Sequence, residues 1–239
     1  MKREIIITAD GSATIHIPEW NEQYHSKHGA IQEAYHVFIK HGLHYISHLN
    51  ASNFVQKSIN ENVQNELSIL EIGFGTGLNA LITYIESSKL KIPVNYVGVE
   101  GYPVSFDEVT KLNYAEALHV ETSFFNELHA LTWEKTHQIS NTFTLTKQEK
   151  FFDDIDYENK FNLIYFDAFG ARVQPELWTE SIFKKMYIAL KNEGVLVTYA
   201  AKGSVRRAMQ AVGFLVEKLP GPPGKREMLR ATKHVISSV

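Results

Sequence analysis

Hydrophobic positions along the chain change period in a regular way. Arg3 to Thr8 and Thr14 to Ile17 read as strands, and the Asp10-Gly11 between them is a hairpin signal. Pro18 ends the pair, and a polar, turn-rich run follows from Trp20 to Gly29. From Ala30 to about Leu49, Ile31, Ala34, Tyr35, Phe38, Ile39, Leu43 and Ile46 recur at helical spacing. Asn50 to Glu66 is polar and reads as a short helix leading into the main domain. Short apolar runs then alternate with helical stretches. Strands are predicted at 67–72, 94–100, 143–146, 160–167, 195–199, 214–219 and 228–235. Helices are predicted at 77–87, after Pro103, through 113–133, from Pro175 to Leu190 and from Ser204 to Val212, with Asn192-Glu193-Gly194 capping the fourth.

Strands alternating with helices predict a doubly wound α/β sheet. The last two strands are joined only by Pro220-Gly221-Pro222-Pro223-Gly224, so they must be antiparallel, because a parallel pair needs a crossover. The expected organisation is an N-terminal hairpin and helical extension over 1–66 and a catalytic domain over 67–239.

Chemistry concentrates where the first strand of that sheet ends. Leu67 to Asn79 reads L-S-I-L-E-I-G-F-G-T-G-L-N: a buried strand, glycines at 73, 75 and 77, then a helix start. Glycine accepts positive φ and leaves room for a ligand against the backbone. A dinucleotide fingerprint is G-x-G-x-x-G, but its third glycine position is Leu78 here, which disfavours an NAD(P)-binding oxidoreductase. The form E-x-G-x-G-x-G, with Glu71 before the turn, is typical of class I methyltransferases, which bind S-adenosylmethionine. Glu100 ends the second strand, where a carboxylate can accept both hydrogen bonds of a ribose diol. Asp167 ends a later buried strand and begins Asp-Ala-Phe, resembling the Asp-Pro-Pro-Tyr motif of amino-group methyltransferases. A carboxylate there could orient an amine and receive its proton. The same Asp could also serve as a helix N-cap.

Composition narrows the setting. With 239 residues, 44% apolar and 21% charged, the chain reads as an ordinary soluble protein. No 18-residue apolar run or signal-peptide pattern stands out, so no membrane association and a cytoplasmic location are expected. Zero cysteines exclude disulfides and thiolate chemistry. His41, His44 and His48 are expected on one helix face, but no acidic partner has metal-ligand spacing, so no metal is expected. Net charge is −3, yet residues 202–233 carry eight Lys or Arg against Glu217 and Glu227, which suggests a polyanion-binding side.

E-I-G-F-G-T-G-L-N (71–79), V-E-G-Y-P (99–103), F-D-A-F (166–169), P-E-L-W (175–178), Ala201 with Val205-Arg206-Arg207, A-x-G-F (211–214) and G-K-R-E-M-L (224–229) appear in this order. Together they resemble the methyltransferase of the bifunctional tRNA 5-methylaminomethyl-2-thiouridine biosynthesis protein MnmC, whose stand-alone form is called MnmD. The resemblance covers roughly 67–239 and, more weakly, 20–45. It implies methyl transfer from S-adenosylmethionine to the primary amine of 5-aminomethyl-2-thiouridine at the tRNA wobble position, in the anticodon region. Carried over, Glu71, Gly73, Phe74, Gly75, Thr76, Gly77, Asn79, Glu100 and Gly101 form the cofactor site, with Gln148 near the adenine. Asp167 and Phe169 form the amine site, Asp167 also bordering the cofactor. Arg206, Arg207, Lys225 and Arg226 face phosphate or substrate. The chain has no room for the fused oxidase domain, so a separate enzyme is expected to supply the aminomethyl precursor. Gly170-Ala171 stand where a small residue and proline usually follow. A small-molecule amine methyltransferase remains an alternative.

Overall fold

The computed structural model describes residues 2–49 and 66–234; the helix expected over 50–66 lies almost wholly outside them. Eleven strands are described: β1 (Glu4–Ile7), β2 (Ala13–Ile17), β3 (Glu22–Gln23), β4 (Leu67–Ile72), β5 (Val94–Glu100), β6 (Thr136–Ser140), β7 (Phe143–Glu149), β8 (Phe161–Phe166), β9 (Leu190–Thr198), β10 (Phe214–Pro220) and β11 (Glu227–Lys233). Seven α-helical segments accompany them: α1 (Ala30–Ala34, continued by a π-helical stretch Tyr35–His44), α2 (Leu78–Leu90), α3 (Phe106–Val109), α4 (Tyr114–Ala117), α5 (Thr122–Ala130), α6 (Glu180–Ala189) and α7 (Gly203–Ala211).

The main sheet has eight strands in the order β10-β11-β9-β8-β4-β5-β7-β6. Strands β9, β8, β4, β5 and β7 are parallel, and β11 enters antiparallel between β9 and β10. This is the Rossmann-like class I methyltransferase sheet with its antiparallel last strand. Strand β4 is buried at all six positions, as its near-continuous apolar run requires of a strand covered on both faces. From β4 the chain winds outward through β5 and β7, then crosses back to β8 and β9. The order therefore reverses between β4 and β8, which is where such sheets open a ligand crevice.

The first three strands form their own antiparallel sheet, β1-β2-β3. Ala13 and Ile15 of β2 and Val37, Phe38 and Leu43 of the first helix share one apolar cluster with Leu67, Ile69, Leu163 and Val197 of the large sheet. The core thus runs across the residue-66 division expected from sequence. Among the described residues no helix is long and apolar enough to cross a membrane.

Several expectations are corrected. Thr136–Ser140 is a strand; its polar, half-exposed residues carry no apolar alternation. Pro175–Trp178 is a 3-10 turn, and α6 begins only at Glu180. Asn192-Glu193-Gly194 does not cap that helix: Leu190 already starts β9, and Glu193 turns within the strand at φ +60°. The π-helical stretch rotates the histidines apart. His44 and His48 line a small cleft beside Leu90, whereas the His41 ring lies 4.9 Å from that of His36.

Candidate active site

A cavity of about 1140 Å³ crosses the C-terminal ends of the parallel strands, from Tyr199 after β9 to Phe151 after β7. Its floor at the crevice is built by two backbones in close approach. Asp167 N–H donates to Ile72 O at 2.9 Å, tying β8 to the end of β4. Gly73 follows at φ +89°, and a Cβ there would stand 2.7 Å from the Asp167 carbonyl oxygen, so only glycine fits.

Glu100 closes the β5 side. Its carboxylate accepts from Gly75 N–H at 3.0 Å and Tyr102 N–H at 2.8 Å, which fixes it at the cavity wall while each oxygen keeps a lone pair for a ligand. Gly101 lies beside it, where a Cβ would come 3.1 Å from the Phe151 ring. Tyr102 and Phe151, 63% and 56% exposed, pair edge-on at 5.7 Å and offer a flat apolar wall next to Glu100. A turn that presents glycines to the cavity, a carboxylate able to accept from a diol and an aromatic wall together fit a nucleoside cofactor. The residues present therefore suit S-adenosylmethionine.

Asp167 forms the other half. Its Oδ2 accepts from Asn79 Nδ2 at 2.8 Å, and the same amide donates to Glu71 Oε1 at 2.9 Å. Tyr96 O–H donates to the second Glu71 oxygen at 2.9 Å. Glu71 is fully enclosed, and burial holds its carboxyl well above the usual range against the opposing pull of the Asn79 and Tyr96 hydrogen bonds. Burial, and next the neighbouring Glu33, push Asp167 up to about 7 against the opposing pull of the Asn79 amide and Lys225. Among the described residues, Asp167 Oδ1 takes no protein hydrogen bond.

The Asp-Ala-Phe loop is held by its carbonyls. Tyr199 O–H donates to Ala168 O at 2.8 Å, and Trp178 Nε1–H donates to Phe169 O at 2.7 Å. The Phe169 ring meets Tyr24 at 4.9 Å and Trp20 at 5.4 Å, both edge-on, giving an aromatic wall beside Asp167. Arg172 donates to Trp20 O, Asn21 O and Glu22 Oε1 at 2.7, 3.1 and 2.8 Å, joining the loop after Asp167 to the N-terminal sheet.

The residues singled out by sequence divide accordingly. Gly73, Gly75, Glu100, Gly101, Asp167, Phe169 and Lys225 line one cavity. Glu71 and Asn79 stand behind it, reaching it through Asp167. Phe74 turns away: it is 4% exposed, lies over Gly98 and packs against His129 and Trp133. Thr76 is buried too, sharing a 2.7 Å hydrogen bond with His25 Nε2 and accepting from His129 Nε2–H at 3.0 Å through its carbonyl. Burial lowers both histidines to about 4, so they are neutral clamps on the turn. Gly77 caps α2 at φ +70° and does not line the cavity. Gln148 is likewise outside the lining and accepts from Tyr157 O–H.

Three of the eight basic residues of the 202–233 segment are ion-paired. Lys225 pairs with Glu33, Lys218 with Glu227 and Arg230 with Glu217. Arg206, Arg207 and Arg226 lie outside the cavity lining. Together with Lys202 they form no ion pair among the described residues. Sequence reasoning missed the cavity's roof, Trp20 to His28 and Glu33. The signals for it were a polar, aromatic- and histidine-rich run next to the first helix and the weaker resemblance over 20–45.

A family described as S-adenosyl-L-methionine-dependent methyltransferase matches residues 117–234, about half of the chain. Curated relatives include the tRNA 5-methylaminomethyl-2-thiouridine biosynthesis bifunctional protein MnmC of Leptospira interrogans, 27% identical over 224 residues, covering 88% of this chain and 32% of that protein. The protein of that name from Legionella pneumophila is 26% identical over 253 residues, covering 95% and 36%. The chain thus spans about a third of the length of these relatives. Among solved structures, MNMC2 from Aquifex aeolicus matches with a TM-score of 0.71 at 21% identity, covering 100% of this chain and 73% of that one. Spermidine synthase from Thermotoga maritima gives 0.53 at 14% identity, covering 98% and 69%. Both show the fold. The family match, with β11 between β9 and β10, sets aside the oxidoreductase alternative.

Proposed function

We propose that this chain, an MnmC-like S-adenosyl-L-methionine-dependent methyltransferase, methylates the primary amine of 5-aminomethyl-2-thiouridine at the wobble position of tRNA. The observation that carries this reading is Asp167: a half-buried carboxyl at the crevice, fixed through one oxygen by Asn79, with the other oxygen accepting from no described protein group. The named relatives supply the choice of RNA, and the size of the cavity leaves space for a base beside the cofactor.

The bound cofactor would supply an electrophilic methyl group on a sulfonium. The protein must present a neutral amine to it, in line and at close range. An alkyl ammonium has a pKa of about 10.4. An ordinary Asp, at 3.8, would accept its proton poorly, whereas Asp167 at about 7 narrows the mismatch to roughly three pH units. Asp167 Oδ1 would take that proton, and the freed nitrogen lone pair would displace the sulfonium at the methyl carbon, the nitrogen–carbon bond forming as the carbon–sulfur bond breaks and the thioether leaves; the product would remain a secondary ammonium, and Asp167 would return its proton to water. Phe169, Tyr24 and Trp20 would shield this end from solvent and offer ring edges and faces to the flipped base. Glu100 and Gly101 would hold the ribose, and Gly73 and Gly75 the amino-acid end of the cofactor. Arg206, Arg207 and Arg226 would meet phosphates, a role that makes binding weaken with salt. In this reading the uridine would carry its aminomethyl group before it reaches this site.

Nucleoside mass spectrometry tests the proposal. Transfer RNA carrying 5-aminomethyl-2-thiouridine is incubated with the protein and S-adenosylmethionine. A gain of one methyl on that nucleoside is expected. Unchanged nucleoside, with cofactor binding confirmed by calorimetry, would overturn the substrate assignment and leave the methyltransferase.

A further inference from the structure

Glu33 and Lys225 have no place in the reaction as written, yet both line the cavity beside Asp167. They come from opposite ends of the chain. Glu33 sits in the first turns of α1 and is 6% exposed; Lys225 sits in the loop between β10 and β11. Ser26 N–H donates to Glu33 Oε2 at 2.8 Å, and Lys225 Nζ pairs with Oε1. The ammonium also stands 3.8 Å from the centroid of the Tyr199 ring, and the Tyr199 hydroxyl holds the carbonyl next to Asp167. Burial is costly for the Glu33 carboxylate alone, and the partly exposed Lys225 ammonium offsets it. An ion pair set against a reactive crevice calls for a role.

We propose that Glu33 and Lys225 are a positioning pair that governs when Asp167 takes up the proton of the substrate amine. The inference rests on the amine-methylation reading. The pair adds no net charge beside Asp167. Elsewhere the cavity lining carries Glu22, paired with Arg172, Arg3, paired with Glu108, and Lys27, Glu100, Asp153 and Glu176. Burial raises the Glu71 carboxyl, behind Asn79, and keeps the Tyr96, Tyr114 and Tyr199 hydroxyls neutral. His25 is neutral as well. Glu100 belongs to the far wall, where Gly75 and Tyr102 hold it. Glu33 acts to keep the proton on Asp167, and Lys225 acts to remove it.

The test is a charge cycle read on the acid limb of kcat/KM against pH. Glu33→Gln leaves Lys225 beside Asp167 and should move the limb down by about one pH unit; Lys225→Met should move it up by a similar amount. The double variant, Glu33→Gln with Lys225→Met, restores the net charge and should return the limb to within about 0.3 pH units of wild type. A purely structural pair predicts instead that the double variant is at least as impaired as either single one, with all limbs unmoved; that pattern would overturn the proposal. Should the single variants not fold, a carbon-13 carboxylate titration of the wild-type protein decides, since Asp167 titrating in the ordinary range near 4 would also overturn it. That titration needs no substrate. It therefore separates failure of this inference from failure of the wild-type protein to methylate the nucleoside.

Discussion

Replacing Asp167 by Asn should make the protein more stable at alkaline pH while abolishing its chemistry. The carboxyl titrates near 3.8 in an unfolded chain and at about 7 in the folded one, because burial and Glu33 disfavour its charge. Between those values the native state binds more protons than the unfolded state, so this group's contribution to stability falls as pH rises and is fully lost above pH 7. Roughly three pH units at 1.4 kcal/mol each set an upper bound of about 4 kcal/mol for the cost of keeping Asp167 ionised. Asn is isosteric, carries no charge and can still accept from Asn79 through its carbonyl. Urea denaturation of both proteins at pH 8, 6.5 and 4 measures the difference. The variant should exceed wild type by about 1–4 kcal/mol at pH 8, and the gap should close toward pH 4. In a chain of this length each kcal/mol moves Tm by about 2–4 °C, so calorimetry offers a second readout. Methyl transfer should drop by about a hundredfold or more. A gap independent of pH, or a variant less stable at pH 8, would refute both the electrostatic reading of Asp167 and its use as a proton acceptor.

Other perturbations probe the remaining parts. Glu100→Gln keeps one acceptor but loses charge-assisted bonds to Gly75, Tyr102 and a ribose diol. Titration calorimetry should show S-adenosylmethionine affinity falling roughly ten- to a hundredfold, and unchanged affinity would remove Glu100 from the cofactor site. Gly77→Ala forces a Cβ to within 2.8 Å of His129 Nε2 at φ +70° and should lower stability by about 1–3 kcal/mol in urea, with His129→Ala restoring part of it. Arg172→Ala removes the bonds to Trp20, Asn21 and Glu22. Hydrogen exchange at residues 20–24 should quicken while the exchange of β4 and β5 stays unchanged.

The strand boundaries at Leu67–Ile72 and Val94–Glu100 follow the sequence pattern to the residue, because strands covered on both faces leave apolar-rich runs with few polar interruptions. The glycine turn, Glu100, Asp167 and the antiparallel β11 were legible for related reasons: each is tied to a strand end or a short connection. The roof was not. Trp20, Tyr24, His25 and Glu33 reach the crevice through contacts far apart in sequence, and nothing in the local pattern of a polar, aromatic run encodes its destination. Phe74 and Thr76 mislead for a different reason. Motif spacing says which backbone borders the ligand, but alternate residues of the turn point into the core. Lys225 likewise reads as part of a basic run until its partner Glu33, 192 residues earlier, is seen.

Strands β1, β2 and β3 pair only with one another. Among the described residues, no backbone-to-backbone hydrogen bond joins them to the eight-stranded sheet. The connections run through side chains instead: Arg3 to Glu108, Asn113 to Gly11 and Ala13, His25 to Thr76, and Arg172 to the turn at 20–22. Apart from the apolar contact that Ala13 and Ile15 share with the main core, this cover is therefore joined to the floor by a handful of replaceable side chains. The surface above the crevice can change by substitution while both hydrogen-bond ladders stay whole.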